Sequence, residues 1–172
     1  FAQPNGMIAQ GADSYPVIIY LPGIGSEDMH QYYTVELASY GYVVCAIEPP
    51  GDIAVTVFPD GTRIELNQDL VKANAAVDRK VIYAYRDHAH ERWSNYIDIA
   101  LQQLQKLNDD QDSMFYKKLD LKNVGILGHS HGGAVALDYC QKNKRCKAGV
   151  DMDGWTKSYN LTKHFSTPFL FL

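Results

Sequence analysis

The segment that most constrains the fold is a glycine-flanked serine between an apolar run and an alanine-rich run. Residues 123–134 read Asn-Val-Gly-Ile-Leu-Gly-His-Ser-His-Gly-Gly-Ala, so Ser130 is the centre of a Gly-x-Ser-x-Gly pattern. A strand that turns directly into a helix leaves no room for a Cβ at the two glycine positions, Gly128 and Gly132. We therefore predict a nucleophile elbow, with the Ser130 hydroxyl exposed at a helix N-terminus where amide groups favour an anion.

The overall composition is typical of one globular domain. The chain has 172 residues, of which 46% are hydrophobic and 21% are charged. A net charge of −4 and the lack of a basic run argue against a nucleic-acid partner. No apolar stretch reaches the roughly 20 residues of a membrane span, and no charged-then-apolar leader is present. Because the first residue is Phe1, we expect a processed or incomplete chain.

Apolar strand patterns alternate with helical patterns along the chain, which predicts right-handed crossovers and a parallel sheet. We expect a single α/β domain with helices on both faces of the sheet, and an insertion at about residues 52–92. The predicted strands are 16–21, 42–47, 124–127, 148–152 and 169–172, the predicted helices are 27–40 and 68–107, and a hairpin is predicted over 54–66.

The loop after the first strand is a candidate oxyanion hole. It reads Pro-Gly-Ile-Gly (22–25) at the carboxyl end of its strand, the edge at which sites collect in such sheets. Gly23 and Gly25 let the backbone approach a ligand, and the amides of Ile24 and His131 would then face a tetrahedral oxyanion. The alternative is that the two glycines only form a tight turn.

A serine nucleophile needs a base, and the base needs an acid that orients it. Asp153 ends the strand Ala-Gly-Val-Asp-Met-Asp and lies next to the predicted elbow, so it is the candidate acid. The alternative for Asp153 is a capping or turn residue. Asp151 is deeper in the same strand, and we interpret it as a structural carboxylate.

The base is not evident from the sequence. Serine hydrolases of this topology have the chain order Ser, Asp, His, and only His164 follows Asp153, at the wrong end of its strand. We expect the elbow to point His129 and His131 away from Ser130, with the His131 ring shaping the pocket. Two further histidines, His88 and His90, lie beside Asp87 and Glu91 and favour a polar helix surface over a metal site. We predict neither a metal nor a cofactor.

The chain has three cysteines, which cannot all pair with one another. Cys140 and Cys146 flank Gln-Lys-Asn-Lys-Arg at a predicted helix end, where a local disulfide is geometrically feasible, although spacing alone leaves it open. Such a bond favours a secreted or periplasmic location. Cys45 lies in an apolar strand and is interpreted as a small core residue.

Four segments together resemble the platelet-activating factor acetylhydrolase family of α/β hydrolases: residues 15–25, 37–48, 128–134 and 147–155. The Asp-Gly-Trp ending at Asp153 and its spacing from Ser130 are the most specific part of the likeness. The resemblance implies an α/β-hydrolase fold, Ser130 as nucleophile, Asp153 as acid, and Ile24 and His131 as oxyanion donors. It implies hydrolysis of short or oxidised acyl esters of phospholipids without calcium, with transient contact to a lipid surface.

The chain also departs from that family. Pro22 stands where the family usually has a histidine, and Glu-Pro-Pro-Gly-Asp (48–52) replaces a more basic turn. The family's first strands and its histidine-bearing segment are absent, so we expect the catalytic histidine beyond Leu172. We assign substrate selection to aromatic and histidine residues of the insertion: Tyr83, Tyr85, His88, His90 and Trp93.

Two other functions stay open. A cutinase-like or dienelactone-hydrolase-like esterase would share the elbow but take its acid from beyond Leu172. A catalytically inactive hydrolase fold would act as a binding module, although the retained Ser130 and its two glycines argue against it.

Overall fold

A computed structural model describes residues 6–26, 30–155 and 166–172. Its main element is a five-stranded sheet with the order β2-β1-β5-β6-β7, in which every neighbouring pair is parallel. This confirms the predicted parallel α/β architecture. The elements are β1 (Tyr15–Leu21), α1 (His30–Ser39), β2 (Val43–Ala46), β3 (Val55–Val57), β4 (Arg63–Glu65), α2 (Gln68–Ala75), α3 (Arg79–Asp109), β5 (Leu119–His129), α4 (His131–Lys142), β6 (Cys146–Met152) and β7 (Phe169–Phe171).

Helices cover both faces of the sheet. Alternate residues of a strand point to opposite faces. On one face Val17, Ile19 and Leu21 of β1 are fully buried in a cluster with residues of α3 and α4. On the other face the ring of Tyr20 lies against that of Tyr33 in α1, with 6.4 Å between centroids. The main core therefore lies between the sheet and the α3–α4 layer.

Two strands are longer than their apolar runs indicate. β5 begins at Leu119 instead of residue 124, and β6 begins at Cys146 instead of residue 148. The pairing of β1 with β5 shifts register between Pro16 and Val17, which places residues 121–123 in an irregularity of the ladder. Polar residues in that irregularity interrupt the hydrophobic pattern while the backbone stays extended.

The helical pattern over 68–107 is confirmed, but the structure divides it into two helices with a break at residues 76–78. Ala76 is extended, with ψ of 134°, and ends α2. The Asp78 side chain then accepts a hydrogen bond from the backbone of Lys80 at 2.9 Å and caps the start of α3. An aspartate at this position favours a new N-terminus over helix continuation.

The predicted hairpin over 54–66 is present. β3 and β4 pair antiparallel, and the Asp60 carboxylate accepts from the Thr62 amide at 2.8 Å across the turn. The backbone of Phe58 also bonds to Thr62 at 2.8 Å, which closes the hairpin end. The hairpin forms a sheet of its own beside the main one.

The cysteines form one disulfide. Cys140 at the end of α4 bonds to Cys146 at the start of β6, and Cys45 is a half-buried free thiol packed against the main core. Burial raises the pKa of the Cys45 thiol. Among the helices that the structure describes, none is long and apolar enough to cross a membrane.

We expect loss of the disulfide to lower the free energy of unfolding by about 2 kcal/mol, because the short closed loop restricts the unfolded chain. The measurement is urea unfolding of the double variant Cys140→Ala/Cys146→Ala. Dithiothreitol should shift the wild type toward the variant and leave the variant unchanged. A reductant effect of equal size on both proteins would contradict the disulfide's role.

Candidate active site

Ser130 has the strained backbone of a nucleophile elbow. It lies between β5 and α4 with φ of 52° and ψ of −117°, a region that non-glycine residues rarely occupy. A Cβ on Gly128 would overlap the carbonyl of Gly132, and a Cβ on Gly132 would overlap that of Pro22. Such strain costs about 1–3 kcal/mol and persists only where the surroundings enforce it.

Backbone bonds tie the elbow to both neighbouring strands. The Ser130 amide donates to the carbonyl of Met152 at 2.8 Å, and the Gly132 amide donates to the carbonyl of Pro22 at 3.1 Å. Met152 directly precedes the candidate acid Asp153, and Pro22 directly precedes the glycine loop. The elbow thus brings the candidate nucleophile, acid loop and oxyanion loop to one edge of the sheet.

The geometry of the glycine loop is compatible with an oxyanion hole. Gly25 has φ of 75°, and a Cβ on Gly23 would lie 3.5 Å from the Cβ of Ser130. Among the described residues no backbone acceptor takes the amide hydrogens of Ile24 and His131. Two free amides beside the serine match the donor set that stabilises a tetrahedral oxyanion.

The two aspartates after the elbow lie in different environments. Asp153 is exposed, has φ of 55°, and donates its amide to the carbonyl of Leu172 at 2.9 Å. Asp151 is 2% exposed and packs against Gly133 and Gly154. Its carboxylate oxygens have no hydrogen-bond partner in the described part of the chain. Burial raises the pKa of Asp151 and the nearby Asp153 acts in the same direction, whereas the Gly154 backbone amide and His129 partly offset the rise.

The His131 ring does not shape a pocket, so that expectation is wrong. It is 1% exposed, and neither ring nitrogen has a partner among the described residues. It packs edge-to-face on Trp93, with 4.8 Å between centroids, and lies 5.9 Å from the His90 ring. Burial lowers the pKa of His131 to about 3, and the nearby His90 and Arg86 act in the same direction.

The His129 ring lies beside the glycine loop. A Cβ on Gly23 would be 3.1 Å from His129 Nδ1. His90 instead bonds to Asp138, with 3.2 Å between Nε2 and the carboxylate, and His164 lies outside the described residues. In the described ranges no histidine bonds to the Ser130 hydroxyl, and no three His, Cys, Asp or Glu side chains are placed to hold a metal ion.

Most of the aromatic residues assigned to substrate selection have structural partners. Trp93 is fully buried, and Tyr85 donates to the Asp52 carboxylate at 2.6 Å. Tyr83 lies nearest the site, 5.8 Å from the Trp155 ring. The sequence analysis did not identify Asp52 as a site residue. A carboxylate in the loop after a strand, at the edge of the sheet where sites collect, could have indicated it.

Similarity to known proteins agrees with the family resemblance noted in the sequence. The family model described as platelet-activating factor acetylhydrolase, isoform II, matches residues 2–172. The chain belongs to that family. It is 23% identical over 167 residues to the platelet-activating factor acetylhydrolase of Canis lupus familiaris, covering 83% of this chain. It is 22% identical over 177 residues to that of Gallus gallus, covering 90% of this chain.

The chain spans 36% of the length of the canine relative and 42% of the avian one. Among solved structures it is similar to a ferulic acid esterase from Streptomyces cinnamoneus. The TM-score is 0.69 at 21% identity, and the match covers 92% of this chain and 42% of that one. The fold is that of an α/β hydrolase, as the sequence predicts.

Replacing each aspartate by asparagine distinguishes the acid from its neighbour. We expect Asp153→Asn to lower kcat of the complete protein by about 10⁴-fold, because an amide cannot stabilise the histidine's charge. Asp151→Asn should keep kcat within about threefold, since the buried Asp151 carboxyl is not accessible to a histidine. Ester hydrolysis at pH 7.5 is the measurement. Equal losses in the two variants would contradict the assignment.

His131 should make the fold sensitive to acid. With a folded pKa of about 3 against an ordinary value of about 6.5, its contribution is complete above pH 6.5 and is lost toward pH 3. The loss amounts to at most about 1.4 kcal/mol per pH unit in that window.

His131→Phe keeps an aromatic ring against Trp93 and removes the titrating group. The free energy of unfolding should therefore fall less between pH 7 and pH 4.5 in this variant than in the wild type. Urea unfolding at both pH values measures it. The variant His88→Gln, at an exposed position, is the control. Parallel curves for wild type and His131→Phe would rule the effect out.

Proposed function

We propose that this chain carries the nucleophile and acid of a serine esterase. Ser130 is the nucleophile, Asp153 is the acid, and the amides of Ile24 and His131 form the oxyanion hole. The observation that carries the proposal is the Ser130 backbone, whose φ of 52° and ψ of −117° are maintained between two glycines at the N-terminus of α4. A binding module would have no need of that strained conformation.

The reaction follows from these groups. Ser130 Oγ attacks the ester carbonyl carbon while a histidine outside the described residues takes its proton. The oxyanion accepts hydrogen bonds from Ile24 and His131, and Asp153 stabilises the imidazolium. Collapse breaks the bond to the alcohol, which leaves with the histidine's proton. Water then attacks the acyl-serine, and the same residues release the acid and free Ser130.

For the substrate we propose short or oxidised acyl esters of phospholipids. The family relatives named platelet-activating factor acetylhydrolase support this class. A second support is Arg86, whose guanidinium lies 5.6 Å from the Trp155 ring, two residues after Asp153. Burial lowers the pKa of Arg86, as does nearby Arg79, and among the described residues Arg86 forms no ion pair. A substrate phosphate would supply the missing counter-charge.

A second candidate is a carboxylesterase for esters without phosphate. The similar solved structure is a ferulic acid esterase. The Tyr83 and Trp155 rings, 5.8 Å apart beside Asp153, offer a surface on which a planar acyl group could stack. The two candidates share Ser130 and differ in whether Arg86 is used.

Ser130→Ala should abolish labelling by a fluorophosphonate probe and lower ester hydrolysis by at least about 10³-fold, because the acyl-enzyme no longer forms. The complete protein is the test material, with Ser39→Ala at the exposed end of α1 as control. Unchanged hydrolysis in Ser130→Ala would overturn the mechanism. An unlabelled, inactive wild type would favour the binding module.

Three substrates then resolve the substrate class: a phospholipid with a short acyl group, the same lipid without its phosphate, and a feruloyl ester. We expect the highest kcat/KM for the phosphate-bearing ester. Equal values with and without phosphate would favour the carboxylesterase.

A further inference from the structure

Asp52 is a buried carboxylate at the same sheet edge as Ser130. It is 1% exposed and follows β2. Tyr85 donates to it at 2.6 Å, the Trp93 indole at 2.8 Å, and Arg92 at 2.9 Å to each oxygen. All three donors lie on α3. The carboxylate is therefore fully bonded to one helix, and Arg92 neutralises its charge.

The backbone of Asp52 is hydrogen-bonded to the glycine loop. Its carbonyl accepts from the amide of Gly25 at 2.6 Å, and Gly25 directly follows Ile24. The amide of Ala54 also donates to the carbonyl of Ser26 at 3.3 Å. The position of Asp52 thus determines where the glycine loop lies, and with it the direction of the Ile24 amide.

Trp93 connects the same carboxylate to the second oxyanion donor. Its indole N–H is fixed by Asp52, and its ring lies 4.8 Å from the ring of His131. The His131 side chain has no hydrogen-bond partner in the described part of the chain, so packing determines its position. The His131 amide is the first of α4, so a shift of its ring against Trp93 would move the start of the helix that carries this donor.

We propose that Asp52 is a positioning residue. It fixes the relative positions of the two oxyanion-hole donors, the amides of Ile24 and His131. One donor, Ile24, is held through the backbone carbonyl of Asp52, and the other, His131, through its carboxylate and Trp93. Oxyanion donors act on the transition state, and small displacements weaken them without changing substrate binding. The inference rests on the proposed esterase function, since it concerns the same reaction.

The test is Asp52→Asn in the complete protein. We expect kcat to fall about 10- to 100-fold with KM within about twofold, because the amide cannot accept from three donors at once. The affinity for a trifluoromethyl ketone, which forms a tetrahedral oxyanion on the serine, should fall by the same factor as kcat/KM. A loss of stability alone would not produce this pattern.

The matched control is Asp98→Asn. Asp98 is also on α3 and accepts from Tyr139 at 2.8 Å, but in the described part of the chain it forms no hydrogen bond with the glycine loop or Trp93. The Asp98→Asn variant should have a lower unfolding temperature, with kcat and the affinity for the ketone unchanged. If Asp52→Asn behaves like Asp98→Asn, the positioning role is overturned.

A milder variant covers the case in which Asp52→Asn does not fold. Tyr85→Phe removes one hydrogen bond to the carboxylate and should reduce kcat and ketone affinity together, by a smaller factor. Unchanged kcat in a folded Tyr85→Phe would then count against the proposal. A wild type that neither hydrolyses esters nor reacts at Ser130 would overturn the proposed function itself, and the positioning role with it.

Discussion

The backbone of Ser130 is the constraint on which the rest of the site depends. A serine at φ of 52° is stable only because two hydrogen bonds, to Met152 and Pro22, tie the turn to the strands on either side. The same bonds fix the loops that follow those strands. The close approach of Gly128 and Gly132 lets α4 pack directly on the sheet. The same packing therefore places Ser130 and buries the α4 residues of the hydrophobic core.

Three carboxylates lie near this edge, and they differ in burial and in their hydrogen-bond partners. Asp52 is buried and bonded to three side chains, Asp151 is buried without a partner in the described residues, and Asp153 is exposed. A carboxylate must be reachable and charged to orient a histidine. Asp153 is reachable, whereas Asp52 is occupied by its three donors and the pKa of Asp151 is raised by burial. Sequence alone separates these residues only by their order along the strands.

The sequence predicts features that depend on a few adjacent residues. The elbow and the hairpin at Asp60 follow from local steric and turn preferences, and the structure contains both. Features that depend on tertiary packing were missed or wrong. The break before Asp78 divides a continuous helical pattern, and burial of His131 against Trp93 joins elements far apart in the chain. The Asp52 bonds to α3 have the same origin, because the partners are 33 to 41 residues away.

The disulfide has a consequence for the spacing of Ser130 and Asp153. It joins the end of α4 to the start of β6, while Ser130 precedes α4 and Asp153 follows β6. The disulfide therefore holds α4 and β6 together at the ends that lie away from Ser130 and Asp153. The residues between the cysteines, 141–145, lie outside the segments that the disulfide joins, so insertions there leave the distance between Ser130 and Asp153 unchanged. An insertion within α4 or β6 would change that distance.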